Sequence, residues 1–198
     1  GERPSPFRSV MTNEARLMQR FGIQTVAVAP VMLQMAVQKI VSEGGGELKR
    51  QMEDIRGRMD CSALKEEQLE RLAALKLAML AQMEKSNCTV AAIECWPSGA
   101  LMQLPSCAMI GELTDMGIPV ACETDINGAI TLAILRAAML GEGAQFLADL
   151  TIRHPENDNG ELLWHCGPFP YSLKSPESKA CLAGGQQQFE LKQGHLTL

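Results

Sequence analysis

The sequence predicts an α/β fold: a mostly parallel sheet with helices on both faces (Rossmann-like), followed by the start of a C-terminal β domain. Three observations predict it. Short apolar runs alternate with helix-length periodic segments, above all between residues 88 and 150. Those runs are continuously apolar rather than alternating, as expected of strands buried on both faces. Helix-stopping glycines and a helix-capping aspartate fall between the runs. The expected division is an α/β unit over residues 1–170, then a linker and the beginning of a β domain over 171–198.

Thr12 is placed to cap a first helix through Leu17, Met18 and Phe21, which Gly22 stops. Residues 23–29 are β-branched and apolar up to Pro30 and read as a strand. Val31, Met35, Ile40 and Val41 recur at helical spacing before Gly44-Gly45-Gly46. Residues 47–59 predict a polar, solvent-facing helix, and Ser62 caps a long one carrying Leu69, Leu72, Leu75, Leu80 and Met83. Residues 89–93 form a short apolar strand. Pro105 opens a helix that Gly117 closes. Residues 118–122 are the next strand, and Asp125 caps a helix through Ile130, Leu132, Leu135 and Met139. Residues 146–150 read as a strand, Asn157-Asp158-Asn159-Gly160 as a turn, and 162–166 as another strand. Residues 187–192 and 195–198 read as a hairpin turning at Gln193-Gly194.

A formal charge of -5 with no local Lys/Arg cluster argues against nucleic-acid binding. No apolar run approaches the ~20 residues of a membrane-spanning helix. The seven cysteines are odd in number and form no CxxC pair, which together with the absence of a signal-peptide pattern predicts free thiols and a cytoplasmic setting. Both ends read as cut, so the chain is expected to be part of a longer protein. No GxGxxG, GxxxxGK[ST] or GxSxG pattern occurs, and no lysine stands at a predicted strand end.

Ligands of open α/β sheets bind beyond the carboxyl ends of the strands. The predicted strands deliver Glu94, Glu123, Asp149 and His165 there. Crowded carboxylates need shared protons or a cation at neutral pH. Carboxylate oxygens with one imidazole form a hard donor set that suits Mn²⁺, Mg²⁺ or a similar ion. Asp149 falls in an apolar run, where an unpaired carboxylate is costly. Cys95, Cys122 and Cys166 are expected to point away, because adjacent strand residues face opposite sides. Taken singly, each of these residues also has a bland reading as a cap neighbour, a solvated loop residue or a core histidine. Asp125 reads as a cap, His154 and His195 as surface residues, and the methionines as core.

The runs Glu94-Cys95-Trp96-Pro97, Gly117-Ile118-Pro119-Val120-Ala121-Cys122-Glu123-Thr124-Asp125, Phe146-Leu147-Ala148-Asp149 and Leu163-Trp164-His165-Cys166-Gly167 together resemble the L-fucose/L-arabinose isomerase-like family, strongly over residues 88–170. The resemblance implies a Mn²⁺-dependent (or other divalent-cation-dependent) aldose–ketose isomerase working through a cis-enediol, present here as a central part. It implies Glu123 and Asp149 as the catalytic pair, and Glu123, Asp149 and His165 as metal ligands. It further implies a small-molecule sugar substrate and a homo-oligomer, trimer or hexamer. Glu94, Trp96 and Trp164 are candidates for sugar contact, with loops 96–103 and 167–171 reading the hydroxyls; packing roles for the tryptophans stand beside this. A non-catalytic sugar-binding or assembly domain, or a metal-dependent lyase or aldolase, are the alternatives.

Overall fold

The computed structural model describes residues 5–95 and 105–195. A 3₁₀ turn at Ser5–Val10 precedes α1 (Glu14–Phe21), α2 (Pro30–Glu43), α3 (Gly46–Arg58) and α4 (Glu66–Lys85). Then come β1 (Ala91–Ala92), α5 (Cys107–Asp115), β2 (Val120–Ala121) and α6 (Ile126–Ala138). The chain ends in two hairpins, β3 (Asp149–Arg153) with β4 (Glu161–Trp164), and β5 (Cys181–Ala183) with β6 (Gln186–Gln188).

The core is helical. α4 lies at its centre and buries Leu69, Leu72, Ala73, Ala74, Leu75, Ala78 and Met79. α3 adds Leu48, Met52 and Ile55 to the same cluster, α2 adds Val37, and α5 adds Met109, Ile110 and Leu113. Each fully buried Leu or Ile contributes about 1.5–3 kcal/mol over an exposed one. Residues 47–59 form the helix their polarity predicts, exposed at most positions, while one stripe of α3 packs on α4. Two buried charges, Lys76 and Glu112, meet the half-buried Arg58 where α3, α4 and α5 come together. Arg58 donates to Glu112 at 2.6 Å and Lys76 at 3.1 Å, with Glu112 only 1% exposed.

The expected mostly parallel sheet is not there. Among the described residues there are six α-helices and three two-stranded sheets, and only β1–β2 is parallel. Its register pairs Ala91 with Val120 and Ala92 with Ala121. Residues 23–29, expected as a strand, form none. Their apolar side chains instead line a cleft of about 260 Å³ together with Met79, Met83, Ala91 and Ile93. The predicted strands at 146–150 and 162–166 shift to β3 and β4 and pair antiparallel. Residues 154–160 join them, too few for the crossover a parallel pair requires. The closing hairpin turns at Gly184-Gly185, both at positive φ, rather than at Gln193-Gly194. Residues 186–188 pair backwards with 181–183, and residues 196–198 lie outside the described residues.

Two caps come close to the sequence expectation. Asn13, one residue beyond Thr12, caps α1, and Gly22 closes it at φ 67°. Asp125 caps α6, its Oδ1 accepting the Gly128 N–H at 2.9 Å. No helix among the described residues is long and apolar enough to cross a membrane.

Candidate metal and proton-transfer site

β2 brings the chain to Cys122 and then stops abruptly. Glu123 and Thr124 follow with φ of 63° and 54°, left-handed backbone at two consecutive residues that are not glycine. Each costs about 1–2 kcal/mol in the left-handed region, a cost that concentrates at functional positions. The turn is clasped from both sides: the Thr124 N–H donates to Ile93 O at 3.0 Å, and the Asp125 N–H to Cys122 O at 3.0 Å.

That turn removes the alternation of an extended strand, so Cys122 does not point away from Glu123. The Cys122 Sγ, a Glu123 carboxylate oxygen and a His165 ring nitrogen all lie within 4.8 Å of one another. Cys122 is buried, while Glu123 and His165 are half-buried. Cys122 as a potential donor to this group was missed by sequence reasoning; its position beside a candidate ligand was the available signal.

His165 arrives from the other side, at the end of β4. Its Nδ1 accepts the Cys166 N–H at 2.8 Å and stands 3.4 Å from the Cys166 thiol, which fixes the ring orientation. Asp149 opens β3 and pairs across the ladder with Trp164. It is exposed, not enclosed by the apolar run its neighbours suggest. Asp149 lies outside the tight group of three but acts electrostatically on both Glu123 and His165.

The charges of the site are mutually adjusted. Burial is the largest influence on Glu123 and lifts its proton affinity above the ordinary carboxylate range; His165 opposes the rise, while Cys95, Asp149 and Cys166 add to it. For His165, burial works against the charged ring, but the Cys166 thiol and the charges of Cys166, Asp149 and Glu123 outweigh it and lift the group above its usual value. Behind these residues four thiols meet. The Cys107 and Cys166 Sγ atoms stand 3.5 Å apart, and mutual influence among the four draws the Cys95 and Cys166 thiols below the ordinary thiol range and pushes Cys107 and Cys122 above it.

The remaining candidates fall elsewhere. Glu94 is half-buried and lines the 260 Å³ cleft with Thr124 and Ile126. That cleft is largely apolar and does not include the Cys122–Glu123–His165 group. Cys122 and His165 line a separate cavity of only about 10 Å³. Trp164 is 55% exposed on the β3–β4 hairpin. Trp96 and the loop 96–103 lie outside the described residues. Loop 167–171 packs inward, with Pro168 and Pro170 buried and Phe169 O accepting from Gln187 at 2.6 Å.

No protein-family model matches the chain. The relatives it resembles are sugar isomerases. Each is a sulfoquinovose isomerase: that of Priestia aryabhattai is 28% identical over 211 aligned positions, covering all of this chain and 45% of the relative. That of Priestia megaterium gives the same figures. That of Alkalicoccus urumqiensis is 32% identical over 142 positions, covering 66% of this chain and 31% of the relative. The chain thus spans about half the length of the Priestia relatives. The similarity is to sugar isomerases, without singling out the L-fucose/L-arabinose branch.

Proposed function

We propose that the chain carries the proton-transfer and metal-binding part of an aldose–ketose isomerase, with sulfoquinovose, on which the relatives act by name, as the leading substrate. The observation that carries this reading is the meeting of Glu123 and His165 in one group, with Asp149 near enough to bias both. A carboxylate whose surroundings raise its proton affinity, beside a fixed imidazole, forms a donor set that a divalent cation satisfies. Glu123, Asp149 and His165 would hold Mn²⁺ or another divalent ion, and the Cys122 thiol widens that set toward softer ions. When bound, the ion polarises the sugar carbonyl and orients its oxygens.

The protein's own residues do the proton work. One of Glu123 and Asp149 takes the proton from C2, leaving a cis-enediol, and the proton returns at C1. Glu123 is half-buried and Asp149 exposed, and unlike surroundings let two carboxylates divide acid and base roles. Glu94, Trp96 and Trp164 are sugar-contact candidates. Residues 1–170 would serve as the central isomerase unit and 171–198 as a linker and the beginning of the next domain, in a trimeric or hexameric enzyme.

The test is NMR of the full-length protein with Mn²⁺ and sulfoquinovose, L-fucose or L-arabinose in separate tubes. Ketose signals are expected with one of them, and Glu123→Gln or Asp149→Asn is expected to slow their appearance by about 10²–10⁴-fold. Fragment products would establish a lyase instead. No conversion of any sugar, with the fold intact and no metal bound, would leave a sugar-binding or assembly domain.

A further inference from the structure

The four thiols behind the candidate ligands take no part in that proton chemistry. They come from four separate stretches: Cys95 after β1, Cys107 at the start of α5, Cys122 after β2, and Cys166 after β4. Cys107 and Cys122 each interact electrostatically with both Cys95 and Cys166. All four are free, and the Cys107 and Cys166 Sγ atoms are 3.5 Å apart.

We propose that Cys107 and Cys166 form a redox-active dithiol that a peroxide closes to a disulfide at the edge of the candidate metal site. The step balances: two thiols lose two protons and two electrons, an S–S bond forms, the O–O bond of hydrogen peroxide breaks, and two waters leave. The pair is suited to closing from one side. Cys107 is 1% exposed and fixed in the first turn of α5. Cys166 is half-buried in a bend, followed by Gly167 at φ 101°, so the less buried partner stands where a small oxidant reaches it. Closing 3.5 Å to the ~2.05 Å of an S–S bond is a shift within reach of such a bend. Among the described thiols, Cys107 and Cys166 are the pair whose Sγ atoms stand at hydrogen-bond distance.

The disulfide has a consequence for the site. Cys166 holds His165 through its backbone N–H and its thiol. Drawing Cys166 toward Cys107 withdraws that support, and loss of support behind a ligating histidine weakens metal binding by about 10–100-fold. This consequence rests on the ligand role proposed for His165; the disulfide itself does not.

The experiment treats the full-length protein with hydrogen peroxide and maps its peptides by mass spectrometry with and without dithiothreitol. A Cys107–Cys166 cross-linked peptide is expected, lost in Cys107→Ser and Cys166→Ser, retained in Cys181→Ser and reversed by reductant. No cross-link, or one joining another pair, overturns the proposal. Mn²⁺ titration of the oxidised protein then reads the coupling. A weakened affinity restored by dithiothreitol supports it, and an unchanged affinity with the cross-link present overturns the coupling to His165 alone. If the reduced protein binds no Mn²⁺, the metal reading fails while the peptide map still decides the disulfide.

Discussion

At Glu123 two unfavourable circumstances coincide: left-handed backbone and burial beside other acidic groups. The second is relieved when something positive occupies the site, and His165 at elevated proton affinity supplies part of that in the metal-free protein. The pH dependence follows from the directions. Glu123 and His165 both have folded-state proton affinities above their unfolded ones. The stability they contribute is therefore full below the unfolded values and lost as pH rises through the folded ones. The contribution of these two groups to the metal-free protein should fall as pH climbs from the acid range through neutrality. Thermal melts across pH check this: Glu123→Gln should flatten the acid part of the curve and His165→Gln the part near neutrality. Curves parallel to wild type would contradict it. The left-handed turn also explains why the Cys122 donor was hidden, since strand alternation was the wrong rule for a residue standing where the strand ends.

At the scale of elements, helix spacing was legible and strand pairing was not. The leucines of α4, the glycine after α1 and the Asp125 cap are local signals, and they place helices to within a few residues. Pairing is non-local, so apolarity alone cannot say whether residues 23–29 join a sheet or lie over α4. The antiparallel β3–β4 hairpin was legible in principle, from the short link at 154–160. The two most informative site residues, Glu123 and His165, could be nominated from the sequence, but their meeting depends on the turn after β2 and the hairpin together. The buried Glu112 escaped notice because its partners Arg58 and Lys76 lie on two other helices. Those charges tie three helices at one point. Glu112→Ala leaves Lys76, itself 5% exposed, without its counter-charge. A loss of about 3–5 kcal/mol is expected in urea denaturation, whereas a surface pair such as Lys39–Glu43 should contribute under about 1 kcal/mol.

For the whole molecule, a helical core centred on α4 supports one short parallel ladder, and the candidate chemistry sits where that ladder meets a hairpin. The hairpin carries Leu150, Ile152, Leu162 and Trp164 largely exposed. Its root, not its apolar faces, bears Asp149 and His165. The measurement that tests the arrangement most directly is a Mn²⁺ titration of the full-length protein, followed by the paramagnetic resonance of free Mn²⁺, for wild type, Glu123→Ala, Asp149→Ala and His165→Ala. One ion per chain is expected for wild type, with each substitution weakening binding at least about tenfold while the circular dichroism stays unchanged. Equal affinity in all four proteins, or no binding by a folded wild type, would contradict a shared cation at Glu123, Asp149 and His165.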